Sequence, residues 1–533
     1  MKSVIEFAEN ALKNCHDTYG PSPLFADGIN VFTGEHVKWV MPGGEEAVVC
    51  DLACQQNFFR TLTALSIVTG DEKYKNAAKA AIKYCFDNFT DKSGLIFWGG
   101  HRFIDLAEHK SVGAATKNMV HELKNAFPFY ELMFEVDPQA TEKYIKAFWN
   151  AHVYDWDELH TGRHGEYNLD VGDVWGHELV NKPALRESTG LSFINCGNDL
   201  IYSAGLLYKY SRDFGAFKWA KHLASQYVAA RNPDTGLGAY QFTQPLKRMD
   251  TDDPNITLSW YGDRCKRQFG PEFGDIALEA NVLFSGKTTY APSIYCENAL
   301  MQLELANQIG SEAKWFLDVT TNGLLSFAKY AYEPKTNEIK PMFTDGKDLT
   351  GFVYKRNGYY GKAGTILTRA KADGQYLLSY AKAYLYSGNE ELWNIARSIA
   401  KGNNLGDLGT ASGNSLDLNL NTSCSDPVVL IALLEIYKAT KKTQYLDLGK
   451  ELGKNIEKKH FNNGYFTKTK TSIYAQLDAV EPLALTYLQA AMENKLELMP
   501  MFINGHGFIQ GEYQMPDGST PIIKDDYFYS LEK

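Results

Sequence analysis

The 533-residue chain reads as an all-α protein, an (α/α)7 or (α/α)6 barrel or toroid with β-hairpins on its rim. Three observations predict it: a recurring unit of two helices and a β segment, amphipathic spacing within those helices, and an irregular interval between the copies. The unit is clearest in LTALSIVTGDEKYKNAAKAAIKYCFDNFTDKSGLIFW (62–98) and is echoed by LLYKYSRDFGAFKWAKHLASQYVAARNPDTGLGAYQF (206–242). It returns more loosely as LEIYKATKKTQYLDLGKELGKNIEKKHFNNGYF (434–466), with fainter copies starting near Leu303 and Lys382. Self-similarity of this kind marks a repeat architecture. A helix pair cannot bury its apolar face alone and stacks on its neighbours. Because the interval varies, pairs closing into a ring fit better than an open solenoid.

Taken in order, an amphipathic helix near 2–15 leads into a loop with Pro21, Pro23 and the turn Pro42-Gly43-Gly44. Apolar residues at helical spacing over 47–69 predict a helix stopped by Gly70-Asp71, and a second helix follows from about 72 to 88. A turn at Asp91–Gly94 then gives a short strand-like LIFWGG. Helix pairs are expected near 2–88, 114–155, 196–231, 273–309, 311–402 and 426–494. Residues 156–195 and 333–371 carry little helical periodicity, and ordered loops of that length usually have a functional reason. The β-like segment 498–533, interrupted by Gly and Pro, is expected to pack on the barrel face of a single catalytic domain spanning 1–533.

Composition narrows the function classes. At 44% hydrophobic and 22% charged the chain is ordinary globular protein. A net charge of −10 argues against general nucleic-acid binding, which needs a basic face. It leaves room for an anionic substrate in a locally basic cleft. The 13% aromatic content, with 32 Tyr and 9 Trp, suits a carbohydrate cleft as well as a core. No apolar run approaches the ~20 residues that span a bilayer. Lys2, Glu6, Glu9 and Lys13 interrupt residues 1–20, so no signal-peptide core is seen there. The eight cysteines are scattered, and Cys50 and Cys54 lack a second pair to complete a zinc site. The expectation is a cytoplasmic monomer with no nucleic-acid or membrane partner.

Of the twelve histidines, seven fall between His101 and His177: these two with His109, His121, His152, His160 and His164. Imidazole transfers protons near neutrality and ligates metals. His101, Glu122 and His164 offer two imidazoles and one carboxylate, an N/O set suited to Mn, Fe, Co, Ni or Zn. Glu122 is expected in a helix, with His121 pointing about 100° away from it. Asp155, Asp157, Glu158, Glu166, Asp170 and Asp173 crowd the same region and offer a second chemistry, the carboxylate acid and base of an inverting glycoside hydrolase. Arg163 stands next to His164, while Arg264, Lys266 and Arg267 in YGDRCKRQFG and Lys247 in another hairpin offer cations for substrate carboxylates. An oligosaccharide-binding toroid without catalysis is a third reading.

The segments GGHRFIDL, MVHELKNAFPFYELM, TGRHGEYN and FINCGNDLIYSAGLLYKYSRD together resemble polysaccharide lyase family 2, the pectate lyases with an (α/α)7 barrel. The likeness runs along nearly the whole chain. It implies that His101, Glu122 and His164 hold a divalent transition metal, manganese by preference with cobalt or nickel as alternatives, and that Arg163 is the base. It implies β-elimination on polygalacturonate or oligogalacturonate: the proton on C5 leaves, the C4–O4 bond breaks, and an unsaturated uronide remains. Arginine is a poor base unless a nearby cation and a dry site disfavour its charged form. Arg163 pairing with substrate while a neighbour such as His160, or a metal-bound hydroxide, takes the proton is therefore a competing assignment. Exported endo-acting and intracellular exo-acting members both exist; the expectation here is the exo-acting, pectate disaccharide-lyase (exopolygalacturonate lyase) type releasing unsaturated digalacturonate.

Overall fold

Caps and apolar spacing decide where the helices run. The computed structural model describes residues 1–113, 119–157, 159–180, 192–238, 241–242, 294–357, 362–410 and 413–533. These residues group into two compact units: Met1–Ala151 with His164–Val171 and Leu418–Lys533, and His152–Arg163 with Gly172–Asp417. The first unit opens with α1 (Lys2–Asn10), α2 (Gln56–Thr69), α3 (Lys73–Asn88), α4 (Tyr130–Val136) and α5 (Pro138–His152). The second holds α6 (Ile194–Ser211), α7 (Phe214–Ala229), α8 (Ile294–Ile309), α9 (Lys314–Ala331), α10 (Gly374–Ser387) and α11 (Glu390–Gly402). The chain returns to the first unit with α12 (Pro427–Thr440), α13 (Thr443–His460) and α14 (Val480–Met492).

Helix α2 ends at Gly70, whose φ of 75° makes the left-handed cap, and Gly388 ends α10 in the same way. Aspartates start several helices: Asp426 accepts from Val428 N–H ahead of Pro427, and Asp213 accepts from Ala216 N–H. Within the first unit α2 packs on α3, α12 on α13, and α14 on α2, α12 and α1, so the last helices neighbour the first. Within the second, α6 pairs with α7, α8 with α9 and α10 with α11, and α8 touches both α6 and α10. The all-α class of helix pairs joined by short strands is the one expected. Among the described residues no helix is long and apolar enough to cross a membrane.

A four-stranded antiparallel sheet in the first unit carries the residues of interest. After β1 (Gly28–Asn30), its strands are β2 (Lys38–Val40), β3 (Glu46–Cys50), β4 (Arg102–Asp105) and β5 (Lys110–Gly113), in sequential order. Trp39, Val49 and Phe103 pack with Ile509 and Phe528, so the C-terminal segment covers this sheet. The helix expected over 47–69 therefore begins late. Glu46–Cys50 pair with β2 and β4 as a strand, Leu52–Gln55 form a 3-10 turn, and the α-helix starts at Gln56. The consecutive β-branched Val48 and Val49 suit the strand.

The second difference concerns 114–155: among the described residues there, helix begins at Tyr130. Positive φ at Asn125 and Phe127, with Pro128 next, keeps the preceding backbone out of a helix. His121 and Glu122 lie in extended bridges instead. Successive side chains of extended backbone point to opposite sides, not 100° apart. His121 is thus turned away from Glu122.

Candidate metal centre

Three backbone segments of the first unit bring His101, Glu122 and His164 together. Gly99, at φ +92°, bridges Glu122 in parallel, and Gly100 N–H donates to Glu122 O at 3.0 Å. A methyl group on Gly99 would lie 2.2 Å from that oxygen, so only glycine allows the approach. From behind, the fully buried Asp51 accepts the Gly99 N–H with both oxygens, at 3.1 and 3.0 Å, and caps the 3-10 turn through Ala53 N–H. Burial pushes the Asp51 carboxyl well up, and these N–H donors oppose that shift. On the other side His121 and Gly165 exchange both backbone hydrogen bonds at 2.9 Å, which sets His164 beside Glu122.

His101 Nε2 lies 2.7 Å from Glu122 Oε2, and His164 Nε2 lies 3.7 Å from the same oxygen. One donor atom from each residue lies within 4.8 Å of the other two. Their exposure is graded: the Glu122 side chain is 0% exposed, His101 13% and His164 37%. A buried carboxylate facing two imidazoles, with the more open side at His164, fits a divalent transition metal with positions left for substrate. Lys124 Nζ stands 2.8 Å from Glu122 Oε1 and helps to hold the carboxylate.

Arg163 belongs to the second unit and is joined to His164 by one peptide bond; it is half-buried. The neighbouring His160 is also half-buried, and burial holds its pKa below the ordinary imidazole value. Arg264, Lys266, Arg267, Lys247 and Glu158 lie outside the described residues. Of the other acids suggested by sequence, Asp155, Asp157, Glu166, Asp170 and Asp173 are all exposed. None of them has the desolvated setting that makes a carboxyl a general acid.

The remaining histidines of the cluster have local partners. His121 is fully buried and accepts the Trp98 indole N–H on Nε2 at 2.9 Å. Indole only donates, so this nitrogen carries no proton. His109 contacts Asp17 at 3.1 Å, His152 Nδ1 faces Gly162 O at 2.8 Å, and His177 stacks on Trp156. Sequence reading passed over Asp51, Gly99, Gly100 and Lys124. The GGH tripeptide and the lysine two residues beyond Glu122 were visible signals once the backbone there is read as extended; nothing in the sequence pointed to Asp51.

A family model described as periplasmic pectate lyase matches residues 22–512. The chain belongs to that family. The pectate disaccharide-lyase of Dickeya dadantii (strain 3937) is 38% identical to it over 528 residues, covering 97% of this chain and 93% of that one. This pectate lyase is accordingly a polysaccharide lyase, as the sequence motifs implied. Among solved structures, an α-mannanase of Bacteroides thetaiotaomicron is similar at TM-score 0.42 and 9% identity, covering 93% of this chain and 96% of that one. An unsaturated glucuronyl hydrolase specific for heparin is similar at TM-score 0.40 and 11% identity, covering 93% and 98%. Both likenesses are remote. The family description overturns one expectation: a periplasmic family conflicts with a cytoplasmic protein. The missing apolar core in residues 1–20 was a weak basis for location, since a leader can be absent from the sequence in hand.

Proposed function

We propose that this lyase cleaves α-1,4-linked galacturonate by metal-dependent β-elimination, acting from a chain end to release an unsaturated disaccharide. The observation that carries the metal dependence is the convergence of His101, Glu122 and His164 on one point. Disaccharide release is supported by the name of the relative from Dickeya dadantii and no longer by location. His101 Nε2, Glu122 Oε2 and His164 Nε2 would hold the metal, manganese by preference and cobalt or nickel as alternatives. When bound it would supply electrophilic stabilisation of charge on the uronate carboxylate.

The chain's own residues do the rest. Burial of Glu122 keeps its carboxylate dry and oriented, with Lys124 on its second oxygen. Arg163, next to His164, would remove the proton on C5, a role that requires its charged form to be disfavoured in the site. His160 is the second candidate, because burial favours its neutral imidazole, the form that can accept a proton. With His160 as base, Arg163 would stay charged and pair with the substrate carboxylate.

Near-ultraviolet absorbance of the unsaturated product, followed on polygalacturonate with and without EDTA, tests the reading. Product that disappears with EDTA and returns with manganese is expected. No chromophore from any homogalacturonan fragment would sink it.

A further inference from the structure

Backbone register brings part of the C-terminal segment against the candidate centre. Gln510 N–H donates to Gly100 O at 2.9 Å, one residue before His101. Strand Gln510–Glu512 pairs antiparallel with Ile522–Lys524, and the register sets Lys524 opposite Gln510. A methyl group added to Gly100 would lie 2.5 Å from Cε2 and Cζ of Phe508 and 3.1 Å from Glu122 Oε2. The phenyl ring and the ligand carboxylate thus border the same glycine.

Two ammonium groups converge on that ring. Lys124 Nζ lies 4.4 Å and Lys524 Nζ 5.7 Å from the Phe508 ring centre, both within cation–π reach. Like charges gathered on one ring repel, and the Glu122 carboxylate 2.8 Å from Lys124 offsets part of that repulsion. Lys124 has three donors, of which the contact with Glu122 takes one. Both lysines are half-buried, so a carboxylate arriving there would meet partly desolvated partners, where such pairs gain strength. Phe508, only 9% exposed, holds the ammonium groups and offers little face for a sugar to stack on.

We propose that Lys124 and Lys524, held over Phe508, form a carboxylate-binding subsite for a uronate residue next to the candidate metal centre. This rests on the uronate-lyase reading above and makes the C-terminal segment part of the substrate cleft. Saturated digalacturonate, too short to yield a disaccharide, is the probe, titrated calorimetrically into the metal-loaded protein. Lys524→Gln should weaken binding about tenfold and flatten its salt dependence, and Lys524→Arg should restore most of it. Lys124→Gln should weaken it at least as much. On polygalacturonate, Lys524→Gln should raise KM by a similar factor and change kcat less.

Variants that all bind digalacturonate within twofold of the parent protein would overturn the subsite, as would a parent protein that does not bind it. The two readings separate. If the parent forms unsaturated product while both Gln variants bind normally, the subsite falls and the lyase reading stands. If the parent binds digalacturonate through these lysines but forms no unsaturated product, the subsite stands and the lyase reading falls.

Discussion

Gly99→Ala is the sharpest perturbation of the candidate centre, because it touches none of the three proposed ligand side chains. At φ +92° an alanine is strained by about 1–2 kcal/mol. Its methyl would also lie 2.2 Å from Glu122 O, so that carbonyl must retreat by roughly 1 Å to reach an ordinary contact. That movement breaks the Gly100 N–H hydrogen bond to Glu122 O, worth about 1 kcal/mol. It also draws the Glu122 carboxylate away from His101, 2.7 Å distant in the intact site. If metal binding has to reverse this displacement, the total of about 2–3 kcal/mol weakens affinity by about 30- to 150-fold. A competition titration of manganese against a chromophoric chelator measures it, with circular dichroism to check that the helices remain. Affinity within threefold of the parent protein, in a folded variant, would refute the reasoning.

Further outcomes follow from the same geometry. Arg163→Ala should reduce turnover on polygalacturonate by at least about 10²-fold while bound metal stays near one equivalent; loss of the metal as well would make Arg163 structural. His101→Ala should lose the metal, and elemental analysis showing full occupancy with full activity would remove His101 from the ligand set. Asp478 is buried, and burial raises its pKa from 3.8 to about 7, against the Asn57 N–H it accepts at 2.6 Å. The folded chain therefore holds this proton more tightly than the unfolded one. Its stabilising contribution is complete below about pH 4 and is lost as pH rises towards 7, approaching about 4 kcal/mol at about 1.4 kcal/mol per pH unit. Asp478→Asn should flatten the fall of the urea midpoint with pH across that window; an unchanged slope would show that the group does not titrate there.

The helix pairs were legible because their information is local: apolar spacing, aspartate caps and terminating glycines such as Gly70 and Gly388 announce themselves within a few residues. Strand β3 was not, because Val48 and Val49 become a strand only through pairing with residues 38–40 and 102–105. Glu122 was legible as a donor by its chemistry, yet its backbone was read wrongly. The bridges to Gly99 and Gly165 that keep it extended join residues more than twenty apart. Asp51 reaches the site across nearly fifty residues and carries no motif. The crowding of histidines drew attention to residues 101–177, yet His109, His121, His152 and His177 each answer a local packing or hydrogen-bonding need.

The most direct test of the metal centre is a crystal grown with manganese and measured on both sides of the manganese absorption edge. One anomalous peak is predicted, bounded by Nε2 of His101, Oε2 of Glu122 and Nε2 of His164. A peak elsewhere, or none at saturating manganese in a protein that still forms unsaturated product in EDTA, would contradict the account.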